Sequence, residues 1–131
     1  MPEKIELSSF LPGTTPEQLY RAWLDGEMHG AFTGSAAQVD PQVGGRFTAW
    51  DSYITGTNLI LEPFRRIVQS WRTTEFPAGS PDSHLEVLLE EGEAGTTLRL
   101  VHTEIPDGQA EDYRQGWEDY YFEPMQDYFA A

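Results

Sequence analysis

Hydrophobic and polar positions along the chain follow two periods, one helical and one extended. On a wheel of about 100° per residue, Tyr113, Tyr120, Tyr121, Pro124, Met125 and Tyr128 lie within about 80° of Trp117. Glu111, Asp112, Glu118, Asp119, Glu123 and Asp127 lie at or beyond the edges of that stripe. The spacing predicts an amphipathic helix from Ala110 to Phe129, about 30 Å long, whose aromatic face needs a broad apolar surface opposite. Two readings of the stripe stay open: plain core, or the wall of a pocket. Tyrosine hydroxyls need partners when buried, and leucine would fill a plain core with less trouble. Pro124 also lacks the N–H that the carbonyl of Tyr120 would meet in a regular helix. A freed carbonyl on an aromatic face suits a polar contact inside a pocket.

Before that helix the pattern mostly alternates, as in strands. Glu3 to Phe10 reads as a first strand, ended by Pro12-Gly13. Thr15, Pro16 and Gln18 then form a helix start, with Thr15 as cap, Pro16 in the first position and Gln18 completing a capping box. Leu19, Ala22 and Trp23 are the buried stripe of this helix. Asp25-Gly26 breaks it, and a second short turn over Glu27 to Phe32 follows. Further strands are expected over Ser35–Val39, Phe47–Trp50, Tyr53–Leu61, Arg66–Thr73, His84–Glu90 and Thr96–Glu104, with Phe76 to Ser83 as a loop. Gly56 marks a bulge or a close approach to the helix. Asp107 is the expected cap of the last helix. Short turns between neighbouring strands predict an antiparallel sheet. The fold class is therefore α+β: a curved antiparallel sheet of six or seven strands around a long C-terminal helix, with two short helices after the first strand. One domain is expected over residues 1–131.

Composition narrows the function. Twenty-two acids against eight Lys plus Arg give a formal charge of −14. That argues against nucleic acid and anionic membranes, which attract basic patches. The absence of cysteine rules out disulfides, thiolate metal sites and a cysteine nucleophile. No apolar run approaches membrane-spanning length, and Met1-Pro2-Glu3-Lys4 does not open a signal peptide. The expectation is a cytoplasmic protein, monomeric or weakly dimeric, with no membrane insertion and no cofactor.

Candidate chemistry is sparse. His29, His84 and His102 have no metal-ligand spacing, so no metal site is expected. His102 alternates with Leu98 and Leu100 and should point inward with them, with Glu104 on the same face to orient it. Asn58 shares the Gly56–Ile60 face as a second polar group. Arg72 either reaches the cavity mouth or is solvated, and His29 is placed to bond backbone at the helix break. There is no Gly-x-Ser-x-Gly elbow, P-loop or Gly-x-Gly-x-x-Gly, and no catalytic residue is assigned.

Several segments together carry a family likeness: Trp23-Leu24; His29-Gly30-Ala31-Phe32-Thr33-Gly34-Ser35; Val43-Gly44-Gly45-Arg46-Phe47; Gly56; Pro63; Ile67 to Arg72; Thr97 to His102; and Gly116-Trp117 with Tyr121 and Tyr128. In this order and spacing the chain resembles the domain named after the activator of the 90-kDa heat-shock protein ATPase, in the START-related SRPBCC superfamily, as a small stand-alone member. The resemblance implies a helix-grip (START-like) fold with a cavity between the long helix and the sheet, where superfamily relatives bind lipids, polyketides and other apolar molecules. Two departures stand out. The eukaryotic co-chaperone carries a further N-terminal domain, and the family's usual leucines after Gly-Trp are replaced by Tyr121, Pro124 and Tyr128. The leading expectation is a binding module for an apolar or aromatic small molecule. Its lining would be Phe32, Phe47, Trp50, Tyr53, Trp71, Trp117, Tyr120 and Tyr121, with His102 and Asn58 as polar contacts. A co-chaperone-like module acting on a heat-shock ATPase, with a chaperone as partner, and a cyclase-like enzyme are the alternatives.

Overall fold

A computed structural model describes residues 2–129. The chain runs through β1 (Glu3–Pro12), α1 (Pro16–Leu24), α2 (Gly26–Thr33), β2 (Gln38–Val39), β3 (Arg46–Ala49), β4 (Ile54–Glu62), β5 (Arg66–Thr73), β6 (Ser83–Glu91) and β7 (Gly95–Ile105). It ends in α3 (Ala110–Trp117), a π-helical segment (Glu118–Phe122) and α4 (Glu123–Tyr128). The strands form one antiparallel sheet in the order β1-β7-β6-β5-β4-β3-β2. Its inner face and the terminal helix enclose a core that includes Leu85, Val87, Leu98, Leu100, Trp71, Trp117 and Met125. This is the α+β helix-grip architecture expected from the sequence.

Local signals behave as their chemistry dictates. Thr15 accepts from the Gln18 N–H at 3.1 Å, Pro16 opens α1, and Leu19, Ala22 and Trp23 are buried. Asp25 ends α1 and caps α2 through its carboxylate, which accepts from Glu27 and Met28. The expected strand at Ser35–Val39 shrinks to Gln38–Val39. Gly56 is crowded by the neighbouring strands rather than by the helix. A Cβ there would sit 1.9 Å from the Ser70 carbonyl oxygen and 2.6 Å from the Phe47 ring. The β4 irregularity falls later, between Asn58 and Ile60, and it turns Ile60 outward while Asn58 stays buried. Glu104 also departs from expectation. It takes a left-handed φ of 58°, which breaks the alternation after His102 and leaves its side chain exposed.

The terminal helix is not uniform. The Glu123 N–H reaches back five residues to the Glu118 carbonyl, so one turn carries an extra residue. An extra residue retards every later side chain by about 100°. Phe122 thereby moves from about 140° off the Trp117 direction to about 40°, and Tyr128 from about 20° to about 80° on the other side. The burial follows this shifted phase: Phe122 and Met125 are buried, whereas Tyr128 is 44% and Tyr120 56% exposed. The shift also places Pro124 in the first turn of α4, where proline is tolerated. The proline is thus accommodated by a reset of the helix, and the aromatic stripe is split between core and surface.

Asp107 does not occupy the cap position of α3. That position is Gln109, whose side chain makes no cap hydrogen bond. The cap comes from the other end of the chain. Glu3 Oε1 accepts from the N–H groups of Gly108 at 3.1 Å and Ala110 at 3.0 Å. A carboxylate at a helix N-terminus also complements the macrodipole. Glu3→Ala should therefore cost about 1 kcal/mol in urea unfolding, with Glu3→Gln recovering part of it. No loss in either variant would mean that this contact does not stabilise the helix.

Candidate ligand groove

The turn between β3 and β4 forms one wall of a groove. Trp50, Asp51 and Ser52 all take left-handed φ angles, of 51°, 55° and 70°. Such conformations cost non-glycine residues roughly 1–2 kcal/mol each. Backbone bonds hold the turn, with Asp51 N donating to Ala36 O at 2.9 Å and Tyr53 N to Trp50 O at 3.1 Å. The result swings the Trp50 indole over the helix, where it meets Tyr120 edge-to-face at 5.2 Å. Trp50, Tyr53, Ile54, Trp71, Glu75, Asp112, Tyr113, Gly116, Trp117, Tyr120 and Tyr121 enclose a space of about 420 Å³. That lies in the range of small-molecule sites, about 300–1,000 Å³. The space is a groove with one open side rather than a closed cavity, and exposed Tyr120 forms part of its rim.

Aromatic rings build the floor in mutual contact. Trp117 meets Tyr121 at 4.7 Å and Trp71 at 5.6 Å, and Trp71 meets Tyr113 edge-to-face at 5.1 Å. The Tyr53 and Tyr113 hydroxyls in the wall are hydrogen-bonded to neighbouring side chains. The Tyr53 hydroxyl donates to Glu75. The Tyr113 hydroxyl donates to Gln109 Oε1 at 2.8 Å and lies 2.7 Å from Thr73 Oγ1. Burial, reinforced by Glu75, pushes the Tyr53 phenol well above its ordinary value, so it donates throughout the neutral range. Burial also raises the Tyr121 phenol. The Trp50 N–H lies close enough to that hydroxyl to oppose the rise, yet it meets hydrogen-bond geometry with no partner among the described residues and is buried. A buried indole N–H without an acceptor is unusual and calls for a physical cause.

Phe32, Phe47, Asn58 and His102 do not line this groove. Phe32 is buried against His29, at 4.9 Å between rings, and behind Tyr121 at 6.1 Å. Phe47 packs beneath Gly56. Asn58 belongs to a buried polar chain at some remove: it donates to Asp40 O at 2.8 Å and accepts from Gln69 Nε2 at 2.8 Å. Gln69 in turn accepts from Trp23 Nε1 at 3.4 Å. Arg72 pairs with Asp82 at 2.6 Å and is not part of the lining.

His102 lies just behind the groove floor. Trp117 Nε1, which can only donate, approaches its Nδ1 at 3.2 Å. The proton therefore sits on Nε2, which donates to Ser83 Oγ at 2.8 Å, and Ser83 donates onward to Trp71 O at 2.6 Å. Burial, with His84 adding to it, lowers the His102 pKa to about 3. A histidine that donates to a buried serine cannot take that serine's proton, so this pair is not a nucleophile and base. Glu104 faces solvent and does not orient it.

His29 makes the contact that sequence reasoning only half located. Its Nδ1–H donates to Trp23 O at 2.9 Å, and its Nε2 accepts from the Tyr121 hydroxyl at 2.7 Å. Burial lowers its pKa to about 4. Among the described residues no cluster of three or more His, Asp or Glu side chains is placed to hold a metal ion. No helix among them is long and apolar enough to cross a membrane. Ile54, Glu75, Asp112, Tyr113 and Gly116 complete the groove and lie outside the lining expected from sequence. The helical wheel does place Tyr113 near Trp117, and Gly116 directly precedes it.

Residues 13–130 match the family described as Activator of Hsp90 ATPase homolog 1-like protein. The human activator of 90 kDa heat shock protein ATPase homolog 1 is 35% identical over 117 residues, covering 88% of this chain and 34% of the human protein. The chain thus spans about a third of the length of the curated relatives it matches. A crystal structure described as an HSP90 activator from Plasmodium falciparum has a TM-score of 0.87 at 24% identity, covering 95% of this chain and 94% of that one. The solution structure of an Aha1 dimer from Colwellia psychrerythraea has a TM-score of 0.76 at 13% identity and covers 92% of each chain. With nearly the whole chain matched, this protein belongs to the Activator of Hsp90 ATPase homolog 1-like family.

Proposed function

We propose that the domain binds a small apolar or aromatic molecule in the groove between its terminal helix and the β3–β4 turn. The observation that carries this reading is Trp50. It is held in a left-handed conformation at the groove wall, and among the described residues its buried indole N–H meets no acceptor in hydrogen-bond geometry, with the Tyr121 hydroxyl nearby but off that geometry. Strain together with an unmet donor fits a group prepared for a ligand rather than for packing. Gly116 supports the reading. A helix interior favours alanine over glycine by about 1 kcal/mol. Here a Cβ would meet only Tyr120 Cδ2, at 3.8 Å, so glycine keeps the groove open without being required by packing.

The test uses that glycine. Native mass spectrometry of freshly purified protein should show retained small-molecule mass, and N-phenyl-1-naphthylamine should fluoresce on binding. Gly116→Leu should fill the groove, keep or raise the melting temperature, and abolish both signals. If wild type is bare and dark to the probe, or if Gly116→Leu binds it equally well, the groove reading is wrong.

A second reading, a co-chaperone-like contact with a 90-kDa heat-shock ATPase, is favoured by the 35% identity to the human activator. The chain corresponds to a third of that protein. Phosphate release by such an ATPase, with and without this chain, tests it; no stimulation at saturating chain would remove it.

A further inference from the structure

We propose that the groove selects a hydrophobic organic cation, an alkyl- or arylammonium, over a neutral molecule of the same shape. This rests on the groove being a ligand site, and three observations add the charge preference.

The first is the composition of the wall. Trp50, Tyr53, Trp71, Tyr113, Trp117 and Tyr120 surround one space. Aromatic faces carry negative potential and attract a cation within about 6 Å, most strongly when both are desolvated. Tryptophan is the best such partner and, with Tyr121 also in the wall, supplies three of the seven aromatic residues.

The second is the charge of the remaining lining. Among the described residues, Glu75 and Asp112 are its only ionisable side chains besides tyrosines, and no Lys, Arg or His lines it. Neither acid has a cationic partner among the described residues, whose ion pairs lie elsewhere. Tyr53 donates to Glu75, so the aromatic wall and the carboxylate are joined and fixed together. An anionic ligand would meet two carboxylates and no basic group.

The third is the field of the whole chain. A formal charge of −14 raises the local concentration of small cations and lowers that of anions. On its own this would be a matter of solubility. With an acid-edged aromatic groove it acts in the same direction as the site.

Phenyltrimethylammonium and its neutral isostere tert-butylbenzene separate charge from shape. Binding is read from Trp fluorescence and from the indole N–H resonance of Trp50. The cation should bind at least about tenfold tighter than the isostere. Glu75→Gln with Asp112→Asn should bring the two affinities to within about threefold, with the melting temperature checked for each variant. Gly116→Leu should abolish binding of both probes. Equal affinity for cation and isostere in wild type overturns the charge preference and leaves the groove reading standing. Cation binding that survives Gly116→Leu overturns the proposal by placing the cation elsewhere. Binding of neither probe overturns it together with the groove reading.

Discussion

Lowering the pH from 7 to 5 should cost the domain about 3–4 kcal/mol of stability, through two histidines alone. His29 and His102 are buried and neutral, with pKa values lowered to about 4 and about 3. Unfolded, each returns to about 6.5. Below that value the unfolded chain binds protons that the folded chain refuses, so stability falls as pH falls. The contribution is fully present above pH 6.5 and is lost progressively down to the folded values. At pH 5 each histidine has given up roughly 2 kcal/mol, and any folded value below about 4.5 gives nearly the same figure. Ordinary carboxylates are still mostly ionised at pH 5, which keeps this window clean of the acids. Urea unfolding at pH 7 and pH 5 reads the change. His102→Asn should halve the pH dependence even if it lowers stability at both values. A flat profile between the two pH values would mean that these histidines are not held neutral.

The second large effect is at Trp117, where groove, core and hydrogen-bond chain meet. Its indole is buried, packs on Trp71 and Tyr121, and supplies the N–H that fixes the His102 tautomer. Trp117→Ala should cost about 3–5 kcal/mol through lost packing and the void left behind. Trp117→Phe keeps a ring but leaves His102 Nδ1 buried without a donor, and should cost about 1–3 kcal/mol. Combining Trp117→Phe with His102→Leu should recover part of that loss, since no unmet acceptor then remains. Strict additivity of the two substitutions in urea unfolding would show that the Trp117–His102 bond carries no coupling.

Local chemistry was the legible part. Thr15, Pro16 and Gln18 decide a helix start within four residues, and alternation over β5 to β7 shows a sheet without tertiary information. What escaped was set by contacts distant in sequence. Nothing near Asp107 reveals that Glu3 will cap α3. The π turn needs knowledge of which phase buries more area, and an ideal wheel imposes a single phase on Glu118 to Tyr128. At the groove, Trp50, Tyr53, Trp71, Trp117, Tyr120 and Tyr121 share the lining while Phe32, Phe47, Asn58 and His102 lie apart from it. Aromatic identity alone cannot separate these groups, because phenylalanine suits a closed core as well as a ligand wall. His102 does point inward, but inward at that register is behind Trp117. The turn at Trp50 carries no glycine, so no residue type announced its left-handed backbone.

The pairing of β1 with β7 joins Glu3 to Ile105 and Pro12 to Gly95. Its consequence is temporal. As the chain leaves the ribosome at about 5–20 residues per second, the first strand has no partner until the seventh emerges, several seconds later. Until then the strand is an open edge that another chain could occupy. Pairings so distant in sequence close slowly. The groove helix follows β7 and takes its cap from Glu3, so that cap forms only once both β1 and β7 have emerged.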